Sequence, residues 1–140
     1  MSKWNATGSQ QGWAIEYDSG ADRFRVRATH DGSTIVSLAD SNLGSPSTST
    51  WYLVFGGYDA DEDELRLRIG TGASLLAEEV TAHTLGVFDS SEVLRLGASG
   101  DAGSFLTGSL DEPGYSEQPL TGGLMTEVWN AGAGKAHPYI

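Results

Sequence analysis

One pattern constrains this chain more than any other. Short runs of alternating apolar and polar residues are separated about every ten residues by turns rich in Gly, Asp and Ser. Alternation with a period of two puts one face of a strand in a core and the other in water. Arg23–Ala28, RFRVRA, is the cleanest case, with Phe24 and Val26 on one face and Arg23, Arg25 and Arg27 on the other. Gly12–Tyr17 does the same, setting Trp13, Ile15 and Tyr17 against Ala14 and Glu16. The short turn between these runs predicts a hairpin. Asp31-Gly32 predicts a second tight turn, followed by a third strand over Ser33–Leu38.

Ala39–Ser49 reads as a loop. Trp51–Phe55 is almost continuously apolar, as expected of a central strand covered on both faces. The acidic turn Tyr58–Glu64 leads into another alternating run, Leu65–Ile69, with Arg66 and Arg68 outward. Gly70 and Gly72 then turn the chain. Ser74–Val80 and Val93–Leu96 are expected strands, and His83–Glu92 a loop with Val87 and Phe88 tucked into an edge. The closing stretch, Phe105–Gly134, predicts a strand with Leu106, Leu110 and Tyr115 facing a sheet, then a Pro-broken connection and a short helix. Leu120, Leu124, Val128 and Trp129 recur at helical spacing, Thr121 is a usable N-cap, and Gly132 and Gly134 suit the exit. No repeat of fixed period and no linker interrupts residues 1–140, so the expectation is one all-β domain, a sandwich or jelly roll with one short C-terminal helix.

Composition narrows the function. With 19 acidic against 8 basic residues the formal charge is −11, which repels phosphate backbones and anionic lipid surfaces, so neither nucleic acid nor membrane is an expected partner. There is no cysteine, which removes disulfides and thiolate metal sites. No apolar run approaches the ~20 residues of a membrane span, and MSKWNATGSQQGW has no apolar signal-peptide core.

The closing stretch also carries a family likeness. The order G-S-L-D-E, Tyr115, P-L-T and E-V-W-N-A-G-A-G resembles the end of laminin-G-like, concanavalin A-like jelly-roll modules. Thr50–Gly72, TWYLVFGGYDADEDELRLRIGTG, is similar to the paired strands of that family, and Val93–Ala98, VLRLGA, to its later "L-x-I-G" strand. The resemblance covers most of the chain from Trp51 onward. It implies a concanavalin A-like sandwich, but the family's usual first strand, which precedes a segment like Ser2-Lys3-Trp4-Asn5, is missing here. A gap of that kind calls for cover by the C-terminus, a loop or another chain, and the expectation is another chain. Pro113 stands where the family prefers Val, so that strand should lie at an edge or end there.

Candidate site residues follow from chemistry. Asp59, Asp61 and Asp63 have D-x-D-x-D spacing, but the sixth position holds no Gly and the twelfth is Gly70 rather than Glu, so an EF-hand is excluded. A looser calcium site on Asp59, Asp61 and Glu62 stands beside a solvated turn as the alternative. The family resemblance implies a structural calcium ion at Asp111, against a carboxylate that only caps turn N–H groups. His30, His83 and His137 have no metal-ligand spacing and read as loop residues. There is no G-x-S-x-G, no thiol nucleophile and no E-x-D-x-x-E cluster, so an enzyme is not expected. Trp4, Tyr52, Tyr58 and Tyr139 are the aromatics expected to be exposed enough to stack on a sugar, while Trp13, Trp51 and Trp129 are expected in the core. Two functions fit. The first is a structural, homo-oligomeric module of a phage-like particle or extracellular assembly, placed outside a cell or on a virion surface. The second is a lectin-like module binding glycan, with or without calcium.

Overall fold

A computed structural model describes residues 1–99, 104–117 and 122–134 of the chain. Two four-stranded antiparallel sheets and one short helix make up its regular structure. The first sheet is a meander of β1 (Ser2–Asn5), β2 (Gln10–Asp18), β3 (Arg23–Thr29) and β4 (Ile35–Ala39), in that spatial order. The second holds β5 (Tyr52–Asp59), β6 (Glu64–Thr71), β7 (Ser74–Leu75) and β8 (Glu79–Ala82). In it β6 pairs with β5 on one side and with both β7 and β8 on the other.

The alternation seen in the sequence fixes the register. Ile15 lies opposite Val26, and Val26 opposite Leu38. Leu65, Leu67 and Ile69 project from β6 into the same cluster as Val26, Ala28 and Leu38, which packs the two sheets face to face like a sandwich. Burying each such side chain contributes about 1.5–3 kcal/mol, so this cluster is the main source of stability. The outward arginines pair along the outer faces, Arg25 with Glu16 and Asp18, and Arg66 with Asp59, Glu64 and Glu78.

The helix α1 (Gly122–Trp129) lies against the second sheet. Met125 and Trp129 are its buried residues, with Leu124 and Val128 half-buried beside them. The chain leaves it through left-handed backbone at Asn130, Ala131 and Gly132, and Gly134 N donates to the Trp129 carbonyl at 3.1 Å. Leu120 and the proposed cap Thr121 lie outside the described residues. No helix among the described residues is long and apolar enough to cross a membrane.

Four expectations are corrected. The central strand of the second sheet is the alternating β6; the apolar run at 51–55 falls in β5, which has no strand on its outer side among the described residues. Trp51 precedes that strand and is 60% exposed rather than in the core. Val93–Leu96 forms no strand, because its one ladder contact is Arg95 beside Ser2, outside β1. Phe105–Tyr115 forms none either. Its strand-like pairing is the bridge from Phe105 to Ala98 and a bond from Leu106 N to the Gly97 carbonyl, and Leu106, Leu110 and Tyr115 are exposed. Alternation alone makes no strand where Pro113 lacks an N–H and no sheet edge lies alongside.

Without any repeat of fixed period, one hairpin motif nevertheless occurs twice. Tyr-Asp-x-x-x-Asp-x-apolar-Arg-apolar-Arg occurs at Tyr17 and again at Tyr58, and it builds the same hairpin twice. Asp22 and Asp63 both take left-handed backbone, with φ of 54° and 56°. The Tyr17 hydroxyl donates to Asp22, and the Tyr58 hydroxyl to Asp63 at 2.9 Å. Asp18 accepts from Gly20 N, and Asp59 from Asp61 N, each at 3.0 Å. Each of these carboxylates also pairs with the first arginine of its motif.

Candidate functional site

A cleft of about 330 Å³ lies beside β1, lined by Lys3, Trp13, Val87, Phe88, Asp89, Leu94 and Tyr115. That volume is at the lower end for small-ligand pockets. Each wall has a local cause. Lys3 sits at a register shift in β1, where the strand bends. Its ammonium pairs with Asp89 at 3.1 Å across the rim. The loop after β8 is tied down at Phe88, whose N–H donates to the Thr29 carbonyl at 2.7 Å, and at Ser90, whose hydroxyl donates to the Gln10 carbonyl at 2.8 Å. Gly12 lets that loop approach closely, since a Cβ there would stand 3.1 Å from the Phe88 carbonyl oxygen and 2.9 Å from that of Lys3.

Two aromatic rings face this cleft. Trp13 and Tyr115 lie almost parallel, 17° apart, with centroids separated by 6.3 Å. Trp13 is half-buried, whereas Tyr115 is 69% exposed. Leu94 of the cleft wall belongs to a run of sequence rich in exposed apolar side chains. Leu85, Val93, Leu94, Leu96, Phe105, Leu106 and Leu110 are all exposed, and Phe105 reaches 72%. A polypeptide of this size rarely leaves so many large apolar side chains in water along one stretch.

The aromatics expected at the surface are placed differently. Trp4 is 3% exposed, because the Arg27 guanidinium lies over its ring at 4.2 Å and seals it. Tyr52 is half-buried against Phe24, and its hydroxyl accepts from Ser47 N at 2.8 Å. Tyr58 is half-buried between Asp63 and His83. Tyr139 lies outside the described residues, as does His137. None of these three described rings lines the cleft, which is built instead on Trp13, Tyr115, Lys3 and Asp89. Trp13 shares its face with Ile15 and so reads as core. Tyr115 read as sheet-facing, and the charged pair bridges residues far apart in sequence with no local signal.

Of the carboxylates expected to hold calcium, Asp59 has partners of its own. Asp59 pairs with Arg66 at 3.2 Å and accepts from Asp61 N and Glu62 N. Asp61 shares that turn and is exposed; Asp111 is exposed in the irregular closing segment. Among the described residues no three His, Cys, Asp or Glu side chains come together as a metal site would need. Asp31 caps its turn by accepting from Ser33 N and Thr34 N, which holds its carboxyl well below the usual carboxylate range.

His83 is not a surface loop residue. It is 3% exposed, its ring stands edge-on to Tyr58 with centroids 5.5 Å apart, and its backbone N–H donates to the Asp63 backbone carbonyl at 2.7 Å. Burial lowers its pKa, and His30 adds to the shift while the Gly86 backbone and Asp63 oppose it.

The sequence matches no protein-family model, and neither a curated protein nor a solved structure matches the chain.

Proposed function

We propose that this protein is a non-enzymatic structural module that associates with copies of itself, or with another subunit of the same assembly, through the exposed apolar side chains of residues 93–99 and 104–115. The observation that carries the reading is the row of exposed apolar side chains there, Val93, Leu94, Leu96, Phe105, Leu106, Leu110 and Tyr115. Segments that a neighbour covers keep such residues because burial in the assembly repays their exposure in the lone chain. The outer edge of β5 supports it too. It runs for eight residues, YLVFGGYD, without the lysines or prolines that blunt free edges. On this reading the fold is a laminin-G-like, concanavalin A-like jelly roll. The setting is an extracellular assembly or a virion surface, as a decoration or fibre component. Native mass spectrometry tests the proposal. A closed oligomer that survives dilution is expected, and Phe105→Ser with Leu110→Ser should dissociate it without lowering the melting temperature of the fold. A wild-type monomer throughout the micromolar range removes the proposal.

A second reading is favoured by the cleft alone. The parallel Trp13 and Tyr115 rings offer an apolar platform to the C–H face of a sugar, and Lys3 and Asp89 stand at the rim to meet its hydroxyls. Binding on a glycan array that Tyr115→Ala abolishes would move the function to that cleft. An array without signal leaves assembly as the sole reading.

A further inference from the structure

We propose that His83 is an acid-released latch that holds the loop forming one wall of the cleft. The ring sits where β8 ends, and the loop it begins supplies Val87, Phe88 and Asp89 to the cleft. Its Nε2 is buried and has no hydrogen-bond partner among the described residues. A neutral imidazole tolerates that position. A proton added there puts a donor on a buried nitrogen with no acceptor, and a buried charge whose hydrogen bond is unmade is costly. The loop can relieve it by lifting away from Tyr58 and exposing the ring to water.

The surrounding groups set the direction. From the β5–β6 hairpin come Tyr58 and Asp63; Asp63 favours the proton, but its Oδ1 already accepts from the Tyr58 hydroxyl at 2.9 Å. From the turn after β3 comes His30, which disfavours it and lies 3.7 Å from Asp31. The loop itself contributes the Gly86 backbone, which favours the proton. Burial outweighs the groups that favour it, so the folded chain prefers neutral His83. A group with a lowered folded pKa stabilises the closed loop fully above the ordinary histidine value of about 6.5. That contribution is lost as pH falls below this value and through the lowered folded one.

The latch stands on the loop geometry alone; its effect on association rests on the assembly reading above. The test is amide hydrogen exchange and histidine NMR on the intact protein, from about pH 7.5 down to about pH 5. His83 should titrate below a free-histidine standard. The Phe88 amide, closed onto Thr29, should lose protection over the same range after correction for intrinsic exchange. His83→Gln, which cannot take up a proton, should show no pH-dependent loss. Equal Phe88 protection at both ends of the range overturns the latch, as does an equal loss in His83→Gln. Should that variant fail to fold, the wild-type titration decides: a His83 value at or above the standard overturns the proposal. Native mass at both pH values separates the two ideas. A chain that is monomeric throughout but still loses Phe88 protection in acid retains the latch and loses the assembly reading.

Discussion

Adding one methyl group at Gly70 should dislodge the helix. Gly70 sits in β6, paired with Leu53 of β5 and Leu75 of β7, so its backbone is held from both sides. A Cβ placed there would lie 2.8 Å from Trp129 Cδ2, 3.0 Å from Cε2 and 3.1 Å from Leu53 Cβ. Carbon atoms in contact settle at about 3.5–4.0 Å, so the indole has to retreat by roughly 0.7 Å or more. The ring is rigid and buried at the end of α1, so the retreat has to move the helix. At eight residues α1 is too short to stand alone and is held by Met125 and Trp129. Lifting it while keeping contact costs about 1–3 kcal/mol, as overpacking does. Releasing it exposes two large apolar side chains at ~1.5–3 kcal/mol each, about 3–6 kcal/mol together. The smaller cost wins, so Gly70→Ala should lose about 1–3 kcal/mol.

Urea unfolding followed by circular dichroism measures that loss, and a double-mutant cycle assigns it. In a Trp129→Ala background the clash with the indole is gone and only the approach to Leu53 Cβ at 3.1 Å remains, so Gly70→Ala should cost distinctly less there. Gly57→Ala is the control. It also lies in a strand of the second sheet, but its Cβ would meet nothing within 4 Å, and its effect should stay within about 0.5 kcal/mol. A neutral Gly70→Ala, or one whose cost persists without the indole, would falsify the packing argument.

Other positions give sharp contrasts. Gly32 has φ of +82° and a Cβ there would lie 2.1 Å from the Ser9 carbonyl oxygen, so Gly32→Ala should cost at least about 2 kcal/mol, read by thermal unfolding. In the two matching hairpins, Tyr58→Phe should cost about 1 kcal/mol, because a half-buried hydroxyl loses Asp63. Tyr17→Phe should cost distinctly less in the same urea series, because Tyr17 is exposed and water replaces Asp22. Arg66→Ala leaves Asp59, Glu64 and Glu78 without their shared cation, so its melting temperature should fall further at low salt than at high salt. Equal losses at both would show that the three carboxylates do not repel across that face.

Alternation was enough to place β2, β3 and β6, because a residue's face depends on its own neighbours along the strand. It could not say which strand lies in the middle of a sheet. The apolar run after Thr50 promised burial on both faces, yet β5 is an edge strand, half-buried throughout, while the alternating LRLRI of β6 holds the centre. The tryptophans fail for the same reason. Trp4 stands among polar residues and looked exposed, but Arg27, brought alongside by the fold, covers it. Trp51 looked central and lies just outside its strand. The cleft was hidden because Lys3, Trp13, Asp89 and Tyr115 meet only after the first strand, a loop and the closing segment have converged.

The repeated hairpin separates what local sequence determines from what the fold adds. Tyr17 and Tyr58 share their motif, turn conformation and aspartate partner, so local sequence specifies that much. They differ in what packs on the ring. Tyr17 meets Phe24 from the neighbouring strand, edge-on with centroids 6.1 Å apart, and remains open to water. Tyr58 meets His83, which follows β8; β8 pairs with β6 as β4 pairs with β3, but β4 ends at Ala39 and the ring on Tyr17 comes from β3 instead. Leu65 stands opposite Tyr58 where Phe24 stands opposite Tyr17, so the edge-on ring on Tyr58 is a titratable one from outside the hairpin. Exchanging the two environments tests whether that ring is what makes the loop sensitive to acid: His83→Phe should keep an edge-on ring against Tyr58, as Phe24 does against Tyr17, and hold the Phe88 amide closed at low pH. If acid opens the loop in that variant as well, the sensitivity belongs to the carboxylates around it, and the histidine has only filled space.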